Sequence, residues 1–173
     1  MEHSVVSFAA RGRLIGLVLI TAFLCGCQGL SFDPRGHTVP ETNWIRLPES
    51  GEYSGTWNNE DLTLAYKFVR NQSQLGVSGV VQFAPRITNN FLVIEYFHLD
   101  AIPVDAQGKV LGMIGLTSAS RVNTQFGRPL DFSNLLTLPP NTAAIAFSYQ
   151  GRAYSDGSED GGGFMDFWEY PLY

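Results

Sequence analysis

Oxygen-bearing side chains are most tightly spaced at Asp156-Gly-Ser158-Glu-Asp160-Gly161. Oxygens at the first, third and fifth positions with glycine at the sixth match the opening of a calcium loop, because a hard cation collects carboxylate and hydroxyl oxygens. Such a loop closes with a bidentate glutamate at its twelfth position, and Phe167 stands there instead. Calcium on Asp156, Ser158 and Asp160 therefore competes with a plainer reading, a solvated acidic hairpin loop rich in glycine.

Other reactive groups are sparse. Beyond residue 26 the histidines are His37 and His98, and the cysteines of the whole chain are Cys25 and Cys27. A zinc site takes three or four His, Cys, Asp or Glu ligands. A nucleophile triad takes an exposed Ser or Cys with a histidine and an orienting acid. Neither set can be assembled, and no Gly-x-Ser-x-Gly elbow occurs. His98 lies inside an apolar run, where a lone histidine reads as structural. Glu95 and Asp100 could pair for glycoside hydrolysis, but their odd separation places them on opposite faces of a regular strand. Trp44, Trp57 and Trp168 could stack on sugar rings; aromatics at strand period read first as core. No catalytic set emerges, so the chain is expected not to be an enzyme.

The most informative chemistry lies near the start. Arg11 and Arg13 precede Leu14–Leu24, eleven uncharged and mostly apolar residues. A membrane-spanning helix needs about 20, so this run has the proportions of a signal-peptide core. It ends in Leu24-Cys25-Gly26-Cys27. That ending resembles the lipobox of bacterial lipoproteins, with Leu24 and Gly26 as recognition positions and Cys25 where alanine or serine is usual. The resemblance implies diacylglyceryl transfer to the Cys27 thiol, cleavage before Cys27 and acylation of the new N-terminus, commonly by palmitate. Sulfur is the nucleophile that takes the lipid. Gln28 follows in place of aspartate, which by the sorting rule of two-membrane bacteria implies the outer membrane, periplasmic face. The covalent lipid on Cys27 is the only attached group expected, with no cofactor.

Removing residues 1–26 takes away Arg11, Arg13 and Glu2, and leaves nine basic against fifteen acidic side chains. No basic stripe exists, so nucleic acid is excluded as a partner. Residues 27–173 suffice for one domain with its own core. Gly, Pro and aromatic residues are plentiful and few segments contain runs of strong helix formers, which predicts an all-β domain.

The elements follow from alternation. Residues 27–56, broken by Pro34, Pro40 and Pro48, read as a tether, onto which Trp44, Ile45 and Leu47 could dock from outside. From Asp61, alternation at Leu62, Leu64, Tyr66 and Phe68 predicts a half-buried strand, and Leu75 to Phe83 a second. Phe91–Leu99 is apolar on both faces and predicts a central strand. Val104–Val110 predicts a hairpin, with Asp105 and Gly108 at turn positions. A strand is expected over Val110–Leu116, a polar connection over 117–130, and strands over Phe132–Leu138, Ile145–Tyr149 and Phe164–Pro171. Ala101–Gly112 resembles the strand-turn-strand centre of small bacterial Ig-like domains of the FxLYD type, with Pro103-Val104 where Leu-Tyr is usual. Six or seven strands at this spacing predict a single β-sandwich, Ig-like or related, over residues 57–173. The functional expectation is a lipid-anchored protein with a structural or protein-interaction role. The alternative is a binding module for glycan or calcium on the same sandwich.

Overall fold

The computed structural model describes residues 34–71, 74–155 and 163–173. Its strands, in chain order, are β1 (Ile45–Arg46), β2 (Gly51–Asn58), β3 (Leu62–Asn71), β4 (Gln74–Phe83), β5 (Val93–Val104), β6 (Ile114–Val122), β7 (Leu130–Thr137), β8 (Ala144–Tyr154) and β9 (Phe164–Glu169). One sheet runs β2-β3-β4-β7. The other runs β1-β8-β5-β6, with β9 pairing β8 beyond β1. Every strand pair is antiparallel. The two sheets pack face to face as a β-sandwich.

Period-two burial builds the core. Leu62, Leu64, Tyr66 and Phe68 of β3 are buried, while Thr63, Ala65, Lys67 and Val69 are exposed. On the facing sheet, Phe97, Leu99 and Ala101 of β5 meet Ile145, Phe147 and Tyr149 of β8 in the same apolar cluster. Each such large side chain contributes about 1.5–3 kcal/mol by leaving water. No disulfide is needed at this size. Phe147 illustrates the packing: its ring lies within aromatic contact of Trp57, Tyr66 and Phe68 from the opposite sheet.

The C-terminal half of β5 is buried on both faces. Ile102 and Val104 point away from the main core and form a second cluster with Val39, Val110, Ala144 and Ala146, covered by Trp44 and Leu172. Trp44 Nε1 donates to the Val39 carbonyl at 2.8 Å, which closes this cover. The hairpin at 104–110 is present: Gly108 N–H donates to Asp105 O at 3.0 Å, and Asp105 Oδ1 accepts from Gln107 and Lys109 N–H at 2.9 Å each. Gly108 adopts φ +82°, and a side chain there would collide with the Val39 carbonyl and the Trp44 ring.

The tether boundary needs correcting. Residues 34–173 form one compact unit, so within the expected 27–56 tether the part from Pro34 belongs to the domain, which does not begin at 57. Thr38 and Tyr173 exchange backbone hydrogen bonds of 3.2 and 2.9 Å, β1 pairs with β8, and β2 is a full strand on β3. The alternation of β2 is disguised by glycine. Tyr53, Gly55 and Trp57 take the core side, and the Tyr66 ring occupies the space a side chain at Gly55 would need. Ile45 and Leu47 pack against the main core.

A second difference lies at 110–130. Val110 makes an isolated bridge to Val104 and backbone hydrogen bonds with Gly36 and His37, and β6 runs from Ile114 through the polar Thr117-Ser-Ala-Ser-Arg-Val122. Pairing with β5 along one edge supplies its backbone hydrogen bonds, so a strand forms there with little apolar surface of its own.

Candidate functional site

Registers on the larger sheet decide what its outer face presents. Gln150 of β8 lies between His98 of β5 and Trp168 of β9, and Arg152 lies between Tyr96 and Asp166. One row further on, Tyr154 lies between Val93 and Phe164. Alternation then sorts β9: Phe167 is buried in the core, while Trp168 is 61% and Phe164 67% exposed. Gly151 makes this close packing possible, because a Cβ there would fall inside the Phe167 ring.

Polar and aromatic groups interleave on this face. A shallow groove of about 310 Å³ is lined by Tyr96, Gln150, Asp166, Trp168 and Tyr170. Tyr170 Oη donates to Gln150 Oε1 at 3.0 Å. Arg152 holds Asp166 through two parallel bonds, Nε to Oδ1 at 2.6 Å and Nη2 to Oδ2 at 3.0 Å. This fork keeps the Asp166 carboxyl below its ordinary range and raises the Arg152 guanidinium further. The guanidinium also lies over the Phe164 ring, 5.1 Å from its centre. Burial pushes the Tyr170 phenol up, reinforced by Asp100 and Tyr96. Burial also raises the Asp100 carboxyl, against the opposing pull of His98.

Trp168 borders a second concavity, on the seam between the sheets. This cleft of about 290 Å³ is lined by Asn59, Glu60, Asp61, Arg86, Tyr149 and Trp168 among others. Asp61 is 4% exposed. Its Oδ2 accepts from Tyr149 Oη at 2.6 Å, and Arg86 Nε lies 2.6 Å from its Oδ1. That Arg86 contact is an ion pair without the alignment of a hydrogen bond, since Oδ1 has no hydrogen-bond partner among the described residues. A single helical turn, Pro85–Thr88, presents Arg86, which also reaches Glu60 at 2.7 Å. Burial and the Asp61 contact drive the Tyr149 phenol far above its usual range, so it stays neutral. Asn59 Oδ1 accepts from the Asp61 and Leu62 N–H groups at 2.9 Å each. Those two bonds fix the amide orientation and leave Nδ2 as a buried donor with no partner among the described residues.

Asp61 is engaged by Tyr149 and Arg86, and Asp166 by Arg152. What remains presented is aromatic area beside fixed donors and acceptors.

Leu24, Gly26 and Cys27 lie outside the described residues, as do Asp156, Ser158 and Asp160 of the acidic loop. Among the described residues no three His, Cys, Asp or Glu side chains converge as a metal site. His98 is exposed on the outer face, its ring 5.9 Å from Tyr96. A register shift in β5 between Ile94 and Phe97, where β5 has one residue more than its partner, breaks the strand parity used to separate Glu95 from Asp100. The tryptophans divide: Trp57 packs on Phe147 and Tyr149, Trp44 covers the second cluster, and Trp168 is outside. Sequence reasoning passed over Tyr96, Gln150, Arg152 and the Asn59–Asp61 turn. The available signal was the i, i+2, i+4 set Asp166, Trp168 and Tyr170 on one face of a strand. No family model, no curated protein and no solved structure matches the chain.

Proposed function

We propose that this chain is a lipid-anchored lipoprotein, held through Cys27 at the periplasmic face of the outer membrane. Its role on this reading is non-enzymatic: the β-sandwich presents an interaction surface on the outer face around β9. The anchor is supported by the order Leu24-Cys25-Gly26-Cys27 after a short apolar run. The interaction role is carried by one observation, the exposure of Trp168 at 61% between two concavities on an edge strand. A ring of that size left in water costs hydrophobic free energy that an inward-facing residue would recover.

The test has two arms. Cys27→Ser should move the protein from the membrane fraction to the soluble fraction or leave it as precursor, with mass spectrometry of the N-terminus reporting the lipid. A photo-crosslinking residue at position 168, in the full chain in living cells, should give discrete adducts. The same residue at Ser133, exposed on the other sheet, should not. Equal labelling at both positions would remove the interaction role, and a wild type without lipid would remove the anchor.

A further inference from the structure

We infer that the β9 edge binds a neutral oligosaccharide laid across Trp168, with one part in the outer groove and the other in the seam cleft. The inference rests on the reading of this face as a binding surface and names its ligand.

The first ground is the alternation of surfaces. A pyranose offers an apolar C–H face and a rim of hydroxyls. The groove offers aromatic rings at Tyr96, Trp168 and Tyr170 with the Gln150 amide among them, itself held by Tyr170. An aliphatic peptide side chain seated there would bury the Gln150 amide and the tyrosine hydroxyls without returning their hydrogen bonds, which is costly. Sugar hydroxyls act as both donors and acceptors and return them.

The second ground is an unmet donor. Asn59 Nδ2 is buried, its orientation is fixed by the two bonds to Oδ1, and the residue lines the cleft. A buried amide donor almost always has a partner. A ligand hydroxyl or ring oxygen entering the cleft would supply it.

Charge and size set the rest. The strong cations are already neutralised, Arg152 by Asp166 and Arg86 by Asp61 and Glu60. The other charged groups by the face, Glu95, Asp100 and Glu169, are carboxylates, with the exposed His98 among them. An acidic polymer would be repelled, so the ligand is neutral. The two concavities, about 290 and 310 Å³, lie just below and just above the lower limit of small-molecule sites, about 300 Å³. Both share Asp166, Phe167 and Trp168. A ligand using both must be a chain of several rings crossing the tryptophan.

The experiment is calorimetric titration of the full chain, in a detergent without a sugar headgroup. The probes are cellohexaose and N-acetylchitohexaose, with hexagalacturonate as the anionic counterpart and the matching disaccharides as short ones. At least one neutral hexamer should bind, and hexagalacturonate should not. Trp168→Ala should weaken binding by about tenfold or more, the loss of a stacked ring, while Trp168→Phe stays within about threefold. Asn59→Asp keeps the turn acceptor and deletes the donor; it should weaken the hexamer and spare the disaccharide. Melting curves check that each variant is folded. Absence of binding by both neutral hexamers, binding only of the anionic one, or binding indifferent to Trp168→Ala would each overturn the inference. Equal losses for hexamer and disaccharide in Asn59→Asp would overturn the crossing of Trp168. Adducts from position 168 that persist while sugar binding fails would retain the interaction surface and remove its glycan ligand. Loss of both would remove the whole reading.

Discussion

Tyr149 Oη donates a 2.6 Å hydrogen bond to Asp61 Oδ2, joining residues 88 positions apart and the two sheets of the sandwich. Asp61 leads into β3 of one sheet, and Tyr149 stands in the middle of β8 of the other. The bond is a polar pin at the seam; a second polar contact joins the sheets where Asn134 Nδ2 of β7 donates to the Leu116 carbonyl of β6.

Tyr149→Phe removes that donor and keeps the ring. A hydrogen bond to a charged group contributes about 1.5–3 kcal/mol, so stability should fall by that much. Urea unfolding measures it, with an unchanged m-value showing that the fold is retained. A loss below about 0.5 kcal/mol would mean that water replaces the phenol.

Phe147→Ala should cost about 3–5 kcal/mol, the range for emptying a buried aromatic site. Phe147 is 2% exposed and is surrounded by rings from β2 and β3, which are held by their own sheet and cannot collapse into the space. The same unfolding titration reports it.

Gly151→Ala adds one methyl where the Phe167 ring already lies. Overpacking of that kind costs about 1–3 kcal/mol. Because Phe167 and Trp168 are adjacent, the displaced ring should also turn β9. Intrinsic fluorescence of Trp168, isolated by replacing Trp44 and Trp57 with phenylalanine, should shift in this variant and stay fixed in Gly127→Ala, whose added methyl meets open space.

Asp100 supplies a pH test. Burial raises its carboxyl above the ordinary 3.8 in the native state. Above 3.8 the unfolded chain releases this proton more readily than the folded one does. The folded state then holds more protons, and stability falls as pH rises through that window. Asp100→Asn should therefore raise the melting temperature at pH 7, and the gain should vanish below pH 3.8. A gain independent of pH would assign the effect to packing instead of charge.

Alternation made the core strands legible. Leu62 to Phe68, Leu75 to Phe83 and Ile145 to Tyr149 carry their partners in plain period two, and the all-β sandwich follows from them. Strands failed to show where small residues replaced the apolar ones. Gly55 stands in the core row of β2 because Tyr66 fills its place, and Thr117 to Ser120 borrow their order from β5. The candidate site was less legible than the fold. Trp168 and Tyr170 were visible as a strand face, but Tyr96, Gln150 and Asn59 are brought to them by sheet order, which no local pattern encodes. The shift in β5 next to Glu95 also undid a parity argument that needs an unbroken ladder.

The pair of bonds between Thr38 and Tyr173 sets a distance. The compact unit begins at Pro34, so the proposed lipid on Cys27 would be seven residue steps from it, at most about 25 Å of extended chain. A tether running to residue 56 would reach roughly 100 Å. A domain of this length is roughly 40 Å across. On that proposal every surface of the sandwich would stay within roughly 65 Å of the lipid. On the proposed anchoring, a partner of Trp168 would have to come to that thin layer above the membrane, because the domain could not travel out to find it.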